Sequence, residues 1–405
     1  MTIQSFTIDI PQATLDDLHA RLARTRWPDE MEGAGWDYGT NLAYLKELVS
    51  YWQHDFDWRV QEAKLNQFAQ FRTQINGLGV HFVHQRGKGP NPLPLLLTHG
   101  WPDSFYRFHK LIPLLTDPAS HGGDPADAFD VIVPSLPGFG FSDHPAHPLT
   151  MEQTADLWVS LMHDVLGYAC YGAAGGDFGS GITQLQAFAH PQALVGIHVT
   201  DLGFYNLYSP QQPDLSEAER RYLGAQQGWF FSEGSYGMIQ GTKPQTLSYG
   251  LNDSPAGLAG WIVEKFRAWS DCDGDVERRF SKDELLTNIM LYWVTQTIRS
   301  SFGYYRDTMT SKIQPGQHIE VPAAFARFPK DIPGIDPPRE LAERHLRIER
   351  WTQMPRGGHF GALEEPELFW DRSSESASTG VGSRRAFRLV TPAFDTWPGA
   401  CRLLA

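Results

Sequence analysis

Cysteine is scarce in this chain of 405 residues: Cys170, Cys272 and Cys401 are all there are, and they lie far apart. That spacing excludes a disulfide framework or a cysteine-rich zinc site as the organiser of the fold, and nothing demands an oxidising compartment. Long apolar runs are missing too, so no stretch reads as a membrane span. Residues 1–6 lack the basic and then apolar pattern of a secretion signal. Positive charge is in deficit, with 34 Lys and Arg against 47 Asp and Glu for a net charge of −13. Such a surface argues against nucleic acid and anionic membranes as partners. A soluble, cytoplasmic protein with neither partner is the expectation.

What the chain does contain is an ordinary globular share of apolar residues, 41%, and an ample share of aromatics, 13%, with 13 Trp. The length allows one large domain or two. The aromatics suggest a bulky apolar pocket or a large aromatic core. Residues 1–90 read as a lead-in. A capping box at Thr14-Leu15-Asp16-Asp17 is expected to open a helix with Leu15, Leu18 and Leu22 on one face, stopped by Trp27-Pro28. A second helix carries Leu42, Leu45, Val49 and Trp52. Two strand-like runs, 68–75 and 78–85, flank Asn76-Gly77, a strong hairpin signal, and should begin the main sheet.

From 91 to 204 strands alternate with helices and end in glycine-rich loops. The strands are 95–98, 128–134, 169–174 and 194–200, and a helix spans 154–166. This pattern predicts a parallel, helix-covered sheet, an α/β architecture whose chemistry lies at the carboxyl ends of the strands. Between 205 and 310 helices replace strands, at 216–227, 257–270 and 282–300, which reads as a helical lid. The sheet resumes in 311–369 with strands at 318–325 and 346–352. The tail, 370–405, is rich in serine without apolar periodicity and reads as loop or disorder.

The chemistry centres on Gly175-Gly176-Asp177-Phe178-Gly179. Small residues two before and two after one reactive side chain make a nucleophile elbow, here with Asp where Ser is usual. A carboxylate there would attack an electrophilic carbon and form an ester that water must break. The plainer alternative is a glycine-rich turn with an Asp at a helix start. His359 follows the last strand in Arg356-Gly357-Gly358-His359-Phe360 and suits a general base. Asp331 follows the preceding strand and would orient that imidazole. The order nucleophile, acid, base is the one expected of an α/β-hydrolase. In His99-Gly100-Trp101-Pro102 the backbone N–H of Trp101, with that of Phe178, would form an oxyanion hole. Tyr236 and Tyr305 in the lid can donate phenolic protons, with Tyr304 the confusable neighbour.

These motifs together resemble the microsomal-type epoxide hydrolases of the α/β-hydrolase superfamily, over roughly residues 3 to 368. The likeness rests on 99–104, on the elbow (with Phe178 where many members have Trp), and on the lid runs 239–246, 251–259, 264–266 and 285–293. It extends to 356–366 around His359. The resemblance implies that Tyr236 and Tyr305 protonate a lipophilic epoxide while Asp177 opens it. His359, held by Asp331, would then drive hydrolysis of the ester to a vicinal diol. It implies no metal and no organic cofactor, and it leaves a homodimer open. The chain starts directly at the lead-in, where membrane-bound relatives carry an anchor, and this supports the soluble reading. After residue 368 the expected amphipathic helix is replaced by a serine-rich run and then Arg384-Arg385, which suggests a frameshifted or foreign terminus. Two alternatives stand beside this reading. A haloalkane-type dehalogenase would want a Trp N–H at Phe178 and has no use for paired lid tyrosines. A non-catalytic binding protein on the same fold would have lost one of the reactive residues.

Overall fold

The computed structural model describes residues 2–202, 208, 211–307, 317–332 and 336–370. Its scaffold is a nine-stranded sheet in the order β1-β2-β3-β5-β4-β6-β7-β8-β9. The first strand, β1 (Gln4–Phe6), is an edge that the sequence pattern does not announce. It is three residues long and pairs antiparallel with β2.

The lead-in helices are α1 (Gln12–Ala23), α2 (Leu42–His54) and α3 (Trp58–Leu65). The expected face of α1 is buried at Leu15, Leu18 and Leu22; on α2 the expected Val49 and Trp52 are buried, Leu42 and Leu45 are half-buried, and Leu48, not expected, is buried beside them. The expected capping box at Thr14 does not form. α1 starts two residues earlier, and the carbonyl of Pro11 accepts the N–H of Thr14 at 2.9 Å, so Thr14 is already inside the first turn. Nor does Trp27-Pro28 stop the helix, which ends at Ala23 with Arg24 as its cap. α3 escapes the periodicity because its buried face includes Gln61 and Glu62, whose polar groups are used up in hydrogen bonds.

The hairpin falls where Asn76-Gly77 puts it. β2 (Gln70–Ile75) and β3 (Leu78–Gln85) pair antiparallel through a turn in which both residues have positive φ, 51° and 80°. β3 then pairs antiparallel with β5 (Phe129–Pro134). From there the sheet is parallel: β4 (Leu93–Thr98) lies between β5 and β6 (Tyr171–Gly175), and β7 (Leu194–Val199), β8 (Ile319–Arg327) and β9 (Leu346–Gln353) follow. The four central strands carry almost unbroken buried runs, as strands covered on both faces must. The crossovers include α4 (Leu111–Thr116), α5 (Met151–Ser160) and α6 (Phe178–Ala189). α5 opens on a capping box at Thr150 and Gln153 and runs into one wide π turn, 161–165.

Between β7 and β8 lies a helical insert. Its members are α7 (Glu217–Ser232), α8 (Ser235–Thr242), α9 (Pro244–Asp253), α10 (Pro255–Ala268), α11 (Lys282–Thr295), α12 (Ile298–Ser301) and α13 (Gly303–Asp307). The third expected helix is thus two, broken where Gln296 turns to φ 54°. Among the described residues no helix is long and apolar enough to cross a membrane. The tail expectation falls on residues beyond 370, outside those described.

Candidate functional site

The turn after β6 brings Asp177 to the sheet edge in an unusual backbone state, φ 57° and ψ −131°. A non-glycine residue there carries strain that the surroundings must hold. They hold it by close approach. A Cβ on Gly179 would lie 1.9 Å from the carbonyl oxygen of Thr98, and one on Gly175 would lie 2.3 Å from the backbone of Gly179. The Asp177 N–H donates to Asp201 Oδ2 at 2.8 Å, and that oxygen also accepts from the Thr200 hydroxyl at 2.8 Å. Gly100 touches the same site from β4: a Cβ there would lie 2.1 Å from Asp177 Oδ1.

Around the Asp177 carboxylate the expected partners assemble. The backbone N–H of Trp101 donates to Oδ1 at 2.9 Å. Nε2 of His359 lies 3.4 Å from Oδ2. That nitrogen is buried and makes no shorter hydrogen bond with the described residues, so it faces the carboxylate and the space beside it. Nδ1 of His359 is hydrogen-bonded to Asp331 Oδ1 at 2.9 Å. A parallel bridge between Lys330 and Gly358 joins the turns that carry these two residues. Phe178 is the first residue of α6, where a backbone N–H has no partner within the helix.

Electrostatics follow from this packing. Burial disfavours a charged imidazole, but the Asp331 charge and the bonds to Asp177 and Asp331 outweigh it and hold His359 well above its ordinary pKa. Burial raises Asp331, helped by the nearby Asp201 charge and opposed by His359. Asp201, Asp331 and His359 are the one group of such side chains, among the described residues, with ligand atoms close enough to hold a metal ion. Their atoms are already engaged with one another and with the elbow, which fits a hydrogen-bonded acid–base cluster without requiring a cation.

The insert supplies the other wall. Tyr236 on α8 stacks on Trp101 at 5.4 Å and 14°, and Tyr305 on α13 stands edge-on to both, 5.7 Å from each. Phe178 packs edge-on to Tyr305 at 5.0 Å. Tyr305 is held well above the ordinary phenol value, first by burial, then by Tyr236 and the Asp177 charge. Tyr304, the confusable neighbour, sends its hydroxyl to Thr154 on α5 at 2.9 Å.

Several supporting residues were not legible in advance. Asp201 is one; its place just past β7, at the carboxyl end of a parallel strand, is the signal that could have found it. Another is the fully buried pair Arg107 and Asp103. Asp103 accepts the Gly100 N–H at 2.9 Å, and Arg107 reaches the His359 carbonyl at 2.6 Å, so the pair ties the Trp101 loop to the histidine loop. Glu364 accepts N–H groups from Gly358, Phe360 and Asp271, and His359 N–H donates to the Trp269 carbonyl at 2.8 Å.

Comparison with known proteins converges on one family. The description "Epoxide hydrolase N terminus" matches residues 3–108, and "alpha/beta hydrolase fold" matches 94–233. The chain is 46% identical over 371 residues to a Stigmatella aurantiaca protein provisionally named an epoxide hydrolase, covering 91% of this chain and 83% of that one. It is 38% identical over 401 residues to epoxide hydrolase 1 of Oryctolagus cuniculus, covering 91% and 87%. Among solved structures, the juvenile hormone epoxide hydrolase of Bombyx mori superposes with a TM-score of 0.77 at 31% identity, over 91% of each chain.

Proposed function

This chain belongs to the epoxide hydrolases of the α/β-hydrolase fold, and from that premise we propose how its site turns a lipophilic epoxide and water into a vicinal diol. Asp177 is the nucleophile. Its Oδ1 already accepts the Trp101 N–H, which supports Oδ2 as the attacking oxygen. Oδ2 attacks a ring carbon from behind, the C–O bond breaks, and the oxygen that leaves takes a proton from the lid tyrosines Tyr236 and Tyr305. The product of this step is a hydroxyalkyl ester.

Ester formation changes the charges around His359. The free carboxylate of Asp177 is one of the groups that favour imidazolium, and it becomes neutral in the ester. His359 therefore gives its proton to solvent and stands as a base when a base is needed, while Asp331 still orients it through Nδ1; it takes a proton back once the carboxylate is free again. As that base it takes a proton from water, and the hydroxide adds to the ester carbonyl. The charge develops on Oδ1, where the Trp101 N–H already points and the Phe178 N–H joins it. Collapse expels the diol oxygen, which His359 protonates, and the proton left on the Asp177 carboxyl restores the tyrosine.

The observation that carries this reading is the Asp177 carboxylate held between a backbone donor at 2.9 Å and a buried imidazole at 3.4 Å. The aromatic wall of Trp101, Trp269, Phe302 and Phe178 supports a lipophilic substrate. A phenyl ring at Phe178 offers a halide no N–H, which leaves little for a dehalogenase to use. A cytoplasmic enzyme and a homodimer belong to the same reading, to be tested by fractionation and light scattering. The decisive assay is diol formation from a panel of aryl and alkyl epoxides, with Asp177→Ala beside the parent. Diol from the parent alone is expected; diol from both, or no diol together with halide release from a haloalkane offered in parallel, would contradict the assignment.

A further inference from the structure

Lys265, on α10, is only 6% exposed although it carries a charge. Burying an ammonium is costly unless its surroundings favour it. Its Nζ lies 4.5 Å from the centroid of the Tyr236 ring and 5.7 Å from that of Trp269. Its carboxylate partner is its own neighbour Glu264, at 2.5 Å. The ammonium is thus set on the face of one of the two lid tyrosines.

A cation over an aromatic face is drawn to the electron density of the ring. A phenolate ring holds more of that density than a phenol ring, so the cation favours the deprotonated form. Tyr305 has the opposite surroundings. Burial, Tyr236 and the Asp177 charge all disfavour its phenolate. The charged and titratable groups that face this part of the site are Lys265 and Glu264 from α10, Tyr305 from α13 and Asp177 from the elbow. His359 packs on the Trp269 ring at 5.2 Å.

We propose that Lys265 sets the division of labour between the lid tyrosines, so that Tyr236 gives up the proton at ring opening and Tyr305 contributes a hydrogen bond. This deepens the reading above and rests on it. In the step itself Asp177 Oδ2 forms the new C–O bond and the epoxide C–O bond breaks. The Tyr236 proton passes to the released oxygen, leaving a phenolate beneath the Lys265 ammonium. The carboxyl proton freed when the ester collapses returns to that phenolate, so protons balance over the cycle. Lys265 touches no reacting atom; it is a positioning residue that acts through Tyr236.

The test is stopped-flow ring opening of styrene oxide, read by tryptophan fluorescence across pH, with ester hydrolysis followed separately. Lys265→Met is expected to slow ring opening about tenfold and to move its alkaline limb up by about one pH unit, leaving ester hydrolysis unchanged. Lys265→Arg should restore most of both, because a guanidinium also binds a ring face. A second readout leaves Lys265 in place: Tyr236→Phe should abolish the alkaline limb, and Tyr305→Phe should keep it. An unmoved limb in Lys265→Met, or a limb lost in Tyr305→Phe instead, overturns the proposal. Undiminished ring opening in both tyrosine variants would sink the reading of the lid pair itself, and this proposal with it.

Discussion

Asp177 and His359 sit on turns that few sequences can make, whereas Tyr236 and Tyr305 sit on short helices that many sequences can make. The elbow needs glycine at 175 and 179 because backbone atoms approach within 2.3 and 1.9 Å of where a Cβ would be. The histidine loop needs Gly357 at φ 101°, and a Cβ on Gly358 would lie 2.5 Å from the Trp269 carbonyl oxygen. On the lid side α8 and α13 have ordinary backbone angles, and glycines are tightly placed only at their starts: a Cβ on Gly234 would lie 2.6 Å from the Phe230 carbonyl oxygen, and one on Gly303 would lie 2.8 Å from the Pro148 side chain. Tyr236 is set by stacking on Trp101, and Tyr305 by edge contacts with Trp101 and Phe178. One half of the site is positioned by main chain, the other by rings. The difference teaches where reactive residues can be read directly and where they must be found by packing.

The sharpest way to separate the halves is to remove the base. His359→Gln should cut steady-state turnover by about 10³-fold or more, because ester hydrolysis loses its base. Ring opening should persist, so intact-protein mass should show one epoxide added per chain. Turnover at the parent rate would remove His359 from the chemistry. The lid half answers the other way. Tyr236→Phe should slow ring opening by about 10²-fold, the order expected for losing a general acid; Tyr305→Phe, which loses a hydrogen bond to the same oxygen, should slow it less, and neither should accumulate ester. An accumulated ester in either would move that tyrosine to the second step.

The same contrast explains what was legible. The elbow, the chain order of Asp177, Asp331 and His359, the hairpin at Asn76-Gly77 and the buried parallel strands all follow from local chain constraints, and each lies where the pattern puts it. The short edge β1 and the polar-faced helix α3 have no periodicity to detect. α1 begins ahead of the Thr14 signal because its cap is Pro11, which makes no side-chain cap hydrogen bond and so leaves no capping pattern in the sequence. The tyrosines had to come from resemblance, since spacing alone does not distinguish Tyr305 from Tyr304. Asp201, Arg107 and Lys265 act through contacts between distant segments, to which a one-dimensional pattern is blind.

A smaller effect probes how firmly the main-chain half is held. Burial pushes Glu364 up to about 7, although N–H groups of Asp271, Phe360 and Gly358 pull the other way. Its folded pKa therefore exceeds its unfolded value of about 4.3, so the folded state holds this proton more tightly. The stability it contributes is present at low pH and is lost as pH rises toward 7. Asp331 and His359, both raised, act in the same direction. The apparent Tm should fall by roughly 3 °C between about pH 5 and 7, and Glu364→Gln should flatten that slope. Scanning fluorimetry across that window checks it; an unchanged slope would free the histidine loop from Glu364.

The covalent route itself is tested most directly by a single turnover in ¹⁸O-water with enzyme in excess over epoxide. Water should attack the Asp177 ester carbonyl, so the peptide containing Asp177 should gain the label and the diol of that first turnover should carry none. Label in the first-turnover diol, with an unlabelled Asp177, would mean that water opens the ring directly and that no ester forms.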